Sequence, residues 1–390
     1  MADRSALESA AAAGLISAEQ VGPLYNFLAT GGVAPAPAGE EDLRFIRNFH
    51  DVFLAIGIVL FAIGLAVGIG AFVASAAEAP QQGMLMAGGL YLAAGGIMWG
   101  LGEVFARRRR LFLPAIAIVC SLTLFAVVGV ALAYAGALAG GDAAFDWERG
   151  VPPPLRAGLL LAAASAFIAP AVFYARFRLP FSMGLAGSGV ALFAIAVALL
   201  FAWETARAYL PALYLLLGAS LFAAGVAFDA RDPARVSRFS DNGFWLHYAA
   251  APFILGGAFG LVGQAFGASG EAAVTSGGAL LMSAFADNGN PVAQAAVTLL
   301  VVMMLGFISL LINRRVLIVS ALLTTGIAIG IILNEFGLGA GALAGSVLIV
   351  LGGFVLILGA GWHSVRRALL GWVKPDGVWA RIFPPESARE

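Results

Sequence analysis

The sequence predicts an all-α fold: a polytopic bundle of about ten transmembrane helices, both termini cytoplasmic, preceded by a small N-terminal helical pair. Three observations carry this. The composition suits a chain dissolved in lipid, 61% hydrophobic and 11% charged with a mean hydropathy of +0.94 over 390 residues. From Asp51 to Trp362 the apolar residues form continuous runs, most of about 18 to 25 residues, enough to cross about 30 Å of hydrocarbon at about 1.5 Å per residue. The basic residues cluster on alternate connections between those runs. Continuous runs exclude a membrane barrel, whose strands alternate apolar and polar residues.

Residues 1–30 read as a cytoplasmic helical pair. Ser5 to Ala13 is alanine-rich and stops at Gly14, a residue that readily closes a helix. Ser17 with Gln20 makes a capping box for a second helix reaching about Ala29, with Val21, Leu24, Tyr25 and Leu28 on one face. Pro23 shortens that helix or marks its first turn. The pair is too small to bury a core of its own, so it is expected to dock on the membrane domain or on a cytoplasmic protein partner. Residues 31–50 form a linker, GGVAPAPAG at 31–39, and a juxtamembrane segment. No apolar run precedes residue 50, so the first span is expected to serve as its own insertion signal.

The membrane domain takes up 51–363, with spans at about 52–74, 84–105, 111–135, 157–175, 179–202, 209–228, 246–267, 292–312, 316–334 and 340–362. Residues 271–287 are short, flanked by Glu271 and Asp287 and broken by Thr275, Ser276, Gly277 and Gly278, so they are expected outside as a loop with a re-entrant or interfacial turn. Residues 364–390 form a cytoplasmic tail. With this division, 19 of the 22 basic residues lie on one side, and only Arg149, Arg156 and Arg207 lie on the other. By the positive-inside rule the crowded side is cytoplasmic. Arginine outnumbers lysine 21 to one, and alanine and glycine abound, which points to a GC-rich bacterium and hence to the bacterial inner membrane.

The opening "AAAGLISAEQVGPLYNFLA", the "FIRNFHDVFLAIGIVLF" after the linker and "FWLHYAAAPFIL" at 244–255 together resemble uncharacterised bacterial inner-membrane proteins that begin with a Gly-Leu-Ile-Ser/Asp-x-Glu-Gln helical pair. The likeness implies a polytopic membrane protein and brings with it no activity or catalytic residue.

Three basic corners share one form: RRRRLFLPAIAIVCSLTLF at 107–125, RFRLPFSMGLAGSGVALF at 176–193 and NRRVLIVSALLTTGIAIG at 313–330. Either convergence on the positive-inside pattern or duplication of a helical hairpin produces this. Glycine is abundant, 50 residues, with GxxxG pairs at Gly64/Gly68, Gly96/Gly100, Gly256/Gly260, Gly326/Gly330 and Gly341/Gly345, and close helix approach is expected.

Ionisable residues inside a bilayer are costly and point to function, and here the acids sit near span ends. Glu103 is spaced to pair with Arg107 and Glu204 lies near Arg207. His50 and Asp51 open the first span, while His247 opens the seventh with Asp241 and Asn242 in the loop before it. If those spans pack together, the group offers a metal or proton-relay site; if not, these are interfacial anchors. Gln264, Asn334 and Glu335 complete the substrate or relay candidates. The remaining mid-span hydroxyls are expected to bond back to their own helices, and Pro170, Pro211 and Pro252 to interrupt helices around a cavity.

The charge balance, 22 basic against 22 acidic residues, leaves no basic stripe for nucleic acid. Cys120 is the single cysteine, so no disulfide forms within the chain. No Walker A lysine, GxSxG, HExxH or CxxC occurs, so no catalytic residue, cofactor or metal is expected. Two functions stay in play: permease-like transport of a small neutral or amphipathic solute, and a non-transporting scaffold or sensor whose residues 1–30 bind a cytoplasmic partner. An enzyme acting on lipids at His50, Asp51, His247 and Asp241 is a third, weaker reading.

Overall fold

A computed structural model of the chain describes residues 4–29, 49–138, 153–232, 238–265, 291–312 and 340–371, together with residue 326. Among them all regular structure is helical. The segment 271–287, the span expected at 316–334, and Asn334 and Glu335 lie outside the described residues.

The N-terminal pair forms as the capping signals direct. Helix α1 (Arg4–Ala12) ends at Gly14, whose φ of +72° suits glycine, and α2 (Ala18–Ala29) contains Pro23. Gln20 Oε1 accepts the Ser17 backbone N–H at 2.9 Å, one half of the capping box. Val21 is the buried residue of this small hairpin, and Arg4 lies over the Tyr25 ring.

The apolar runs become α3 (Phe49–Ala76), α4 (Pro80–Gly102), α5 (Phe112–Leu138), α6 (Pro153–Phe177), α7 (Pro180–Phe201), α9 (Leu210–Asp229) and α10 (Arg238–Ala265), with a short α8 (Trp203–Ala208) between the fifth and sixth elements of that series. Two more helices, α11 (Pro291–Ile312) and α12 (Ala340–Leu370), follow. Seven helices, α3 to α7, α9 and α10, are long and apolar enough to cross a membrane. Their outer faces carry large exposed apolar side chains such as Leu60, Val67, Leu161 and Leu216, as lipid contact requires. The structure therefore shows an all-helical membrane-type protein.

The hairpins are antiparallel and held by glycines at which the facing helix leaves no room for a side chain. Along α4 and α5, a Cβ on Gly136 would stand 2.5 Å from the Leu85 nitrogen, and one on Gly88 would strike the Ala133 backbone. Along α9 and α10, a Cβ on Gly218 would stand 2.7 Å from the Ile254 nitrogen, and one on Gly257 would strike Leu215. These are not the glycines of the GxxxG spacing. At Gly64, Gly68, Gly96, Gly100 and Gly345 an added Cβ meets nothing within 4 Å, so the close approach that was expected is present but does not run through these five. Spacing along one helix says nothing about which face meets a neighbour.

Helix α10 is the inner helix. Within its membrane-length window 78% of residues are buried, against 22% for α3, and it is the least hydropathic of the seven. A helix that faces protein rather than lipid has no need of a wholly apolar surface. It packs on α9, α7 and α11. Helix α10 also begins at Arg238, eight residues before the predicted span, so Asp241 and Asn242 stand on the helix rather than in a preceding loop. The prolines divide likewise: Pro170 and Pro252 sit inside helices that continue through them, whereas Pro211 occupies the first turn of α9 and interrupts nothing.

Candidate functional site

At the arginine-rich end of the bundle, the packing of α10 against α9 brings Asp229 up to His247. His247 is wholly buried, and its Nε2–H donates to Asp229 Oδ2 at 3.1 Å. The Asp229 side chain keeps 11% of its surface accessible, so it borders the surface while the imidazole lies inside. Phe222 meets the imidazole edge-on at 4.7 Å between ring centres. The ring lies against Gly225, where an added Cβ would stand 2.8 to 3.0 Å from three imidazole atoms. Gly243, one turn before His247 on α10, faces Asp229 with no room for a side chain. Two glycines thus make space for a carboxylate–imidazole pair between closely packed helices. Burying such a pair is expensive, and the 3.1 Å contact between the carboxylate and the imidazole offsets part of that cost.

Beside it, Asn242 is 2% exposed and donates through Nδ2 to the Tyr174 hydroxyl of α6 at 2.7 Å, while its Oδ1 is buried without a hydrogen-bond partner among the described residues. Trp245 gathers Phe112, Phe181, Phe244 and Tyr248 around it. The first two belong to α5 and α7, so α10 is fastened to three other helices at this level.

The other predicted residues scatter. His50 is exposed and Asp51 buried at the start of α3, which packs on α4 and α5, whereas His247 sits between α10 and α9. Among the described residues no three His, Cys, Asp or Glu side chains come together to hold a metal, so His50, Asp51 and His247 form no metal site. Asp241 is exposed. Gln264 lies seventeen residues beyond His247, about 25 Å along the helix. Its Nε2 donates to the Ala208 carbonyl of α8 at 3.0 Å and ties the far end of α10 to a helix terminus. Ser121, Thr123 and Ser220 bond back to carbonyls of their own helices, as expected.

Charge pairing confirms which helix ends belong together. Glu103 accepts from Arg107 at 3.2 Å, the predicted one-turn pair, and also from Arg176 Nε at 2.8 Å. The second bridge, with the Asn242–Tyr174 bond, puts the corners near 107–110 and 176–178 and the start of α10 at one end of the bundle. Glu204 and Arg207 pair at 2.9 Å on α8. A cavity of about 460 Å³ opens at the α3–α4 turn, lined by Val73, Ala77, Glu78, Pro80, Met84 and Leu132, mostly apolar and apart from the His247 level.

Sequence reasoning missed Asp229, Tyr174 and Gly225. Asp229 closes the sixth span just before Arg231 and Asp232 and looks like one more solvated end. The signal was the antiparallel pairing of two adjacent spans, which sets the end of the sixth against the start of the seventh.

The seven membrane-length helices among the described residues, with a buried acid–imidazole pair between two of them, define the class, a multi-pass helical membrane protein. No family model matches the chain, nor does any curated protein or solved structure.

Proposed function

We propose that the protein is a permease-like carrier of a small neutral or amphipathic solute, and that the Asp229–His247 pair is the polar latch of its moving hairpin. The supporting observation is this ionisable pair, buried in the inner helix of the bundle, where polar groups in membrane proteins mark solute and proton paths. A wholly structural helix junction does not need a carboxylate and an imidazole at a site that a pair of leucines would fill more cheaply. Two corners also share a backbone form that supports hairpin duplication. Arg110 and Arg178 have φ of 53° and 54°, and each stands one or two residues before the next helix. Repeated hairpins are the common plan of carriers.

The scaffold or sensor alternative draws on the α1–α2 hairpin, which has its own cap and buried residue and exposes Leu15 and Phe27. Reconstitution into vesicles and light-scattering measurement of swelling in glycerol, urea and alanine separates the two. The carrier reading expects flux that Asp229→Asn and His247→Gln each reduce by about tenfold or more while deletion of 1–30 spares it. Flux indifferent to both substitutions contradicts that reading. Absence of flux, with a phenotype that depends on residues 1–30, favours the scaffold.

A further inference from the structure

The arginines at one end of the bundle form a single patch rather than separate corners. The π-helical turn Glu103–Arg108 closes α4, and Glu103 holds Arg107 from its own helix and Arg176 from the end of α6, 73 residues away. Behind the bridge the two ends are packed by aromatic rings. Trp99 lies 5.2 Å from Phe177 and 6.1 Å from Phe173, and Gly102 faces both phenylalanines with little room to spare. Six guanidiniums, Arg107 to Arg110 with Arg176 and Arg178, belong to these two corners, and Glu103 binds two of them, Arg107 and Arg176.

Four of them, Arg108, Arg109, Arg110 and Arg178, are exposed and form no ion pair with any described residue. Two are supported on rings, Arg109 over Phe105 and Arg178 over Tyr174, each 5.8 Å from the ring centre. A ring beneath a guanidinium restrains it and leaves its N–H groups for an acceptor in front. Arg110 and Arg178 hold left-handed backbone, a conformation that is strained for a non-glycine residue. The cost falls on an arginine at both corners where glycine would be free of it.

The patch lies where membrane-length helices end, among Trp99, Phe105, Tyr174 and Phe177, and the ends of spanning helices are where a bilayer presents its phosphates. We propose that the α4–α5 and α6–α7 corners form a binding site for the phosphate group of an anionic phospholipid. Planar guanidiniums from two corners grip the phosphodiester oxygens, the ring-supported Arg109 and Arg178 acting as its two sides. The acyl chains run along the apolar faces of α4 and α6. A free phosphate has the same charge but no chains, and the aromatic collar favours the lipid.

Native mass spectrometry of the purified full chain, with phosphatidylglycerol and phosphatidylcholine supplied in equal amounts, tests this. The expected result is retention of phosphatidylglycerol over phosphatidylcholine by about tenfold or more. Arg108→Gln/Arg109→Gln/Arg110→Gln/Arg178→Gln abolishes the preference, while the four lysine replacements keep most of it. Arg156→Gln/Arg207→Gln, outside the patch, leaves it unchanged. If the fourfold glutamine variant does not fold, Arg109→Gln/Arg178→Gln, which leaves the Glu103 bridge intact, is expected to remove a large part of the preference. Equal retention of both lipids by the native chain overturns the proposal, as does an undiminished preference in the folded glutamine variants. Displacement of phosphatidylglycerol by millimolar inorganic phosphate overturns the assignment to lipid.

Discussion

At the residue scale, the arrangement around His247 depends on what is missing from its neighbours. A full-sized imidazole lies inside the α9–α10 contact because Gly225 has no side chain, and the carboxylate reaches it because Gly243 has none. Gly225→Ala drives a methyl into the ring, an overpacking that costs about 1 to 3 kcal/mol. Gly64→Ala, where nothing lies within 4 Å, is expected to change stability by no more than about 0.5 kcal/mol and to gain slightly in helix propensity. Unfolding of both variants in mixed micelles checks the contrast. Equal effects would mean that the close approach at Gly225 is not formed. Of the predicted site residues, His247 alone entered this arrangement. The sequence offers it either as a relay residue with His50 and Asp51 or as an interfacial anchor, because hydropathy marks the start of an apolar run, and the inner helix starts two turns earlier among Ser240, Asp241 and Asn242.

At the element scale, the sequence placed the long helices well because each apolar run was bounded by arginine, proline or glycine. The runs at 52–74 and 179–202 match α3 and α7 within a few residues. Two features escaped for opposite reasons. The π-helical turn at Glu103–Arg108 has no composition signal, since it is stabilised by backbone bonds such as Arg109 N–H to Val104 C=O at 3.0 Å. The role of α10 escaped because helices shielded from lipid look weaker by hydropathy, though they are the better placed to carry function. The glycine pattern shows the same limit. Any GxxxG pair marks a smooth strip, but only the fold shows that α4–α5 contact runs through Gly88, Gly129 and Gly136.

At the scale of the whole molecule, the alternating basic corners did predict a three-dimensional fact. The Glu103–Arg176 bridge and the Asn242–Tyr174 bond join corners that the sequence assigned to one side. Placing that side in the cytoplasm is a matter for labelling. In a Cys120→Ala background, Arg109→Cys and Arg178→Cys are expected to resist an impermeant maleimide in intact cells, and Thr205→Cys to react. Thr205 stands on α8 at the opposite end, beside the Ala208 carbonyl held by Gln264. Labelling of Arg109→Cys together with Thr205→Cys would contradict the alternation itself. The same view unites the two polar features at the arginine-rich end. The buried pair lies within the inner hairpin, the guanidinium patch lies at the outer corners, and Tyr174 links them by taking the Asn242 bond on one side and supporting Arg178 on the other.

The central claim is that Asp229 and His247 act as one buried unit. A double-mutant cycle of Asp229→Asn and His247→Gln on unfolding free energy in micelles tests it most directly. Each single substitution is expected to cost about 3 to 5 kcal/mol by leaving its partner stranded, and the double substitution little more than either alone. Costs that simply add would show two independent residues and would contradict the account.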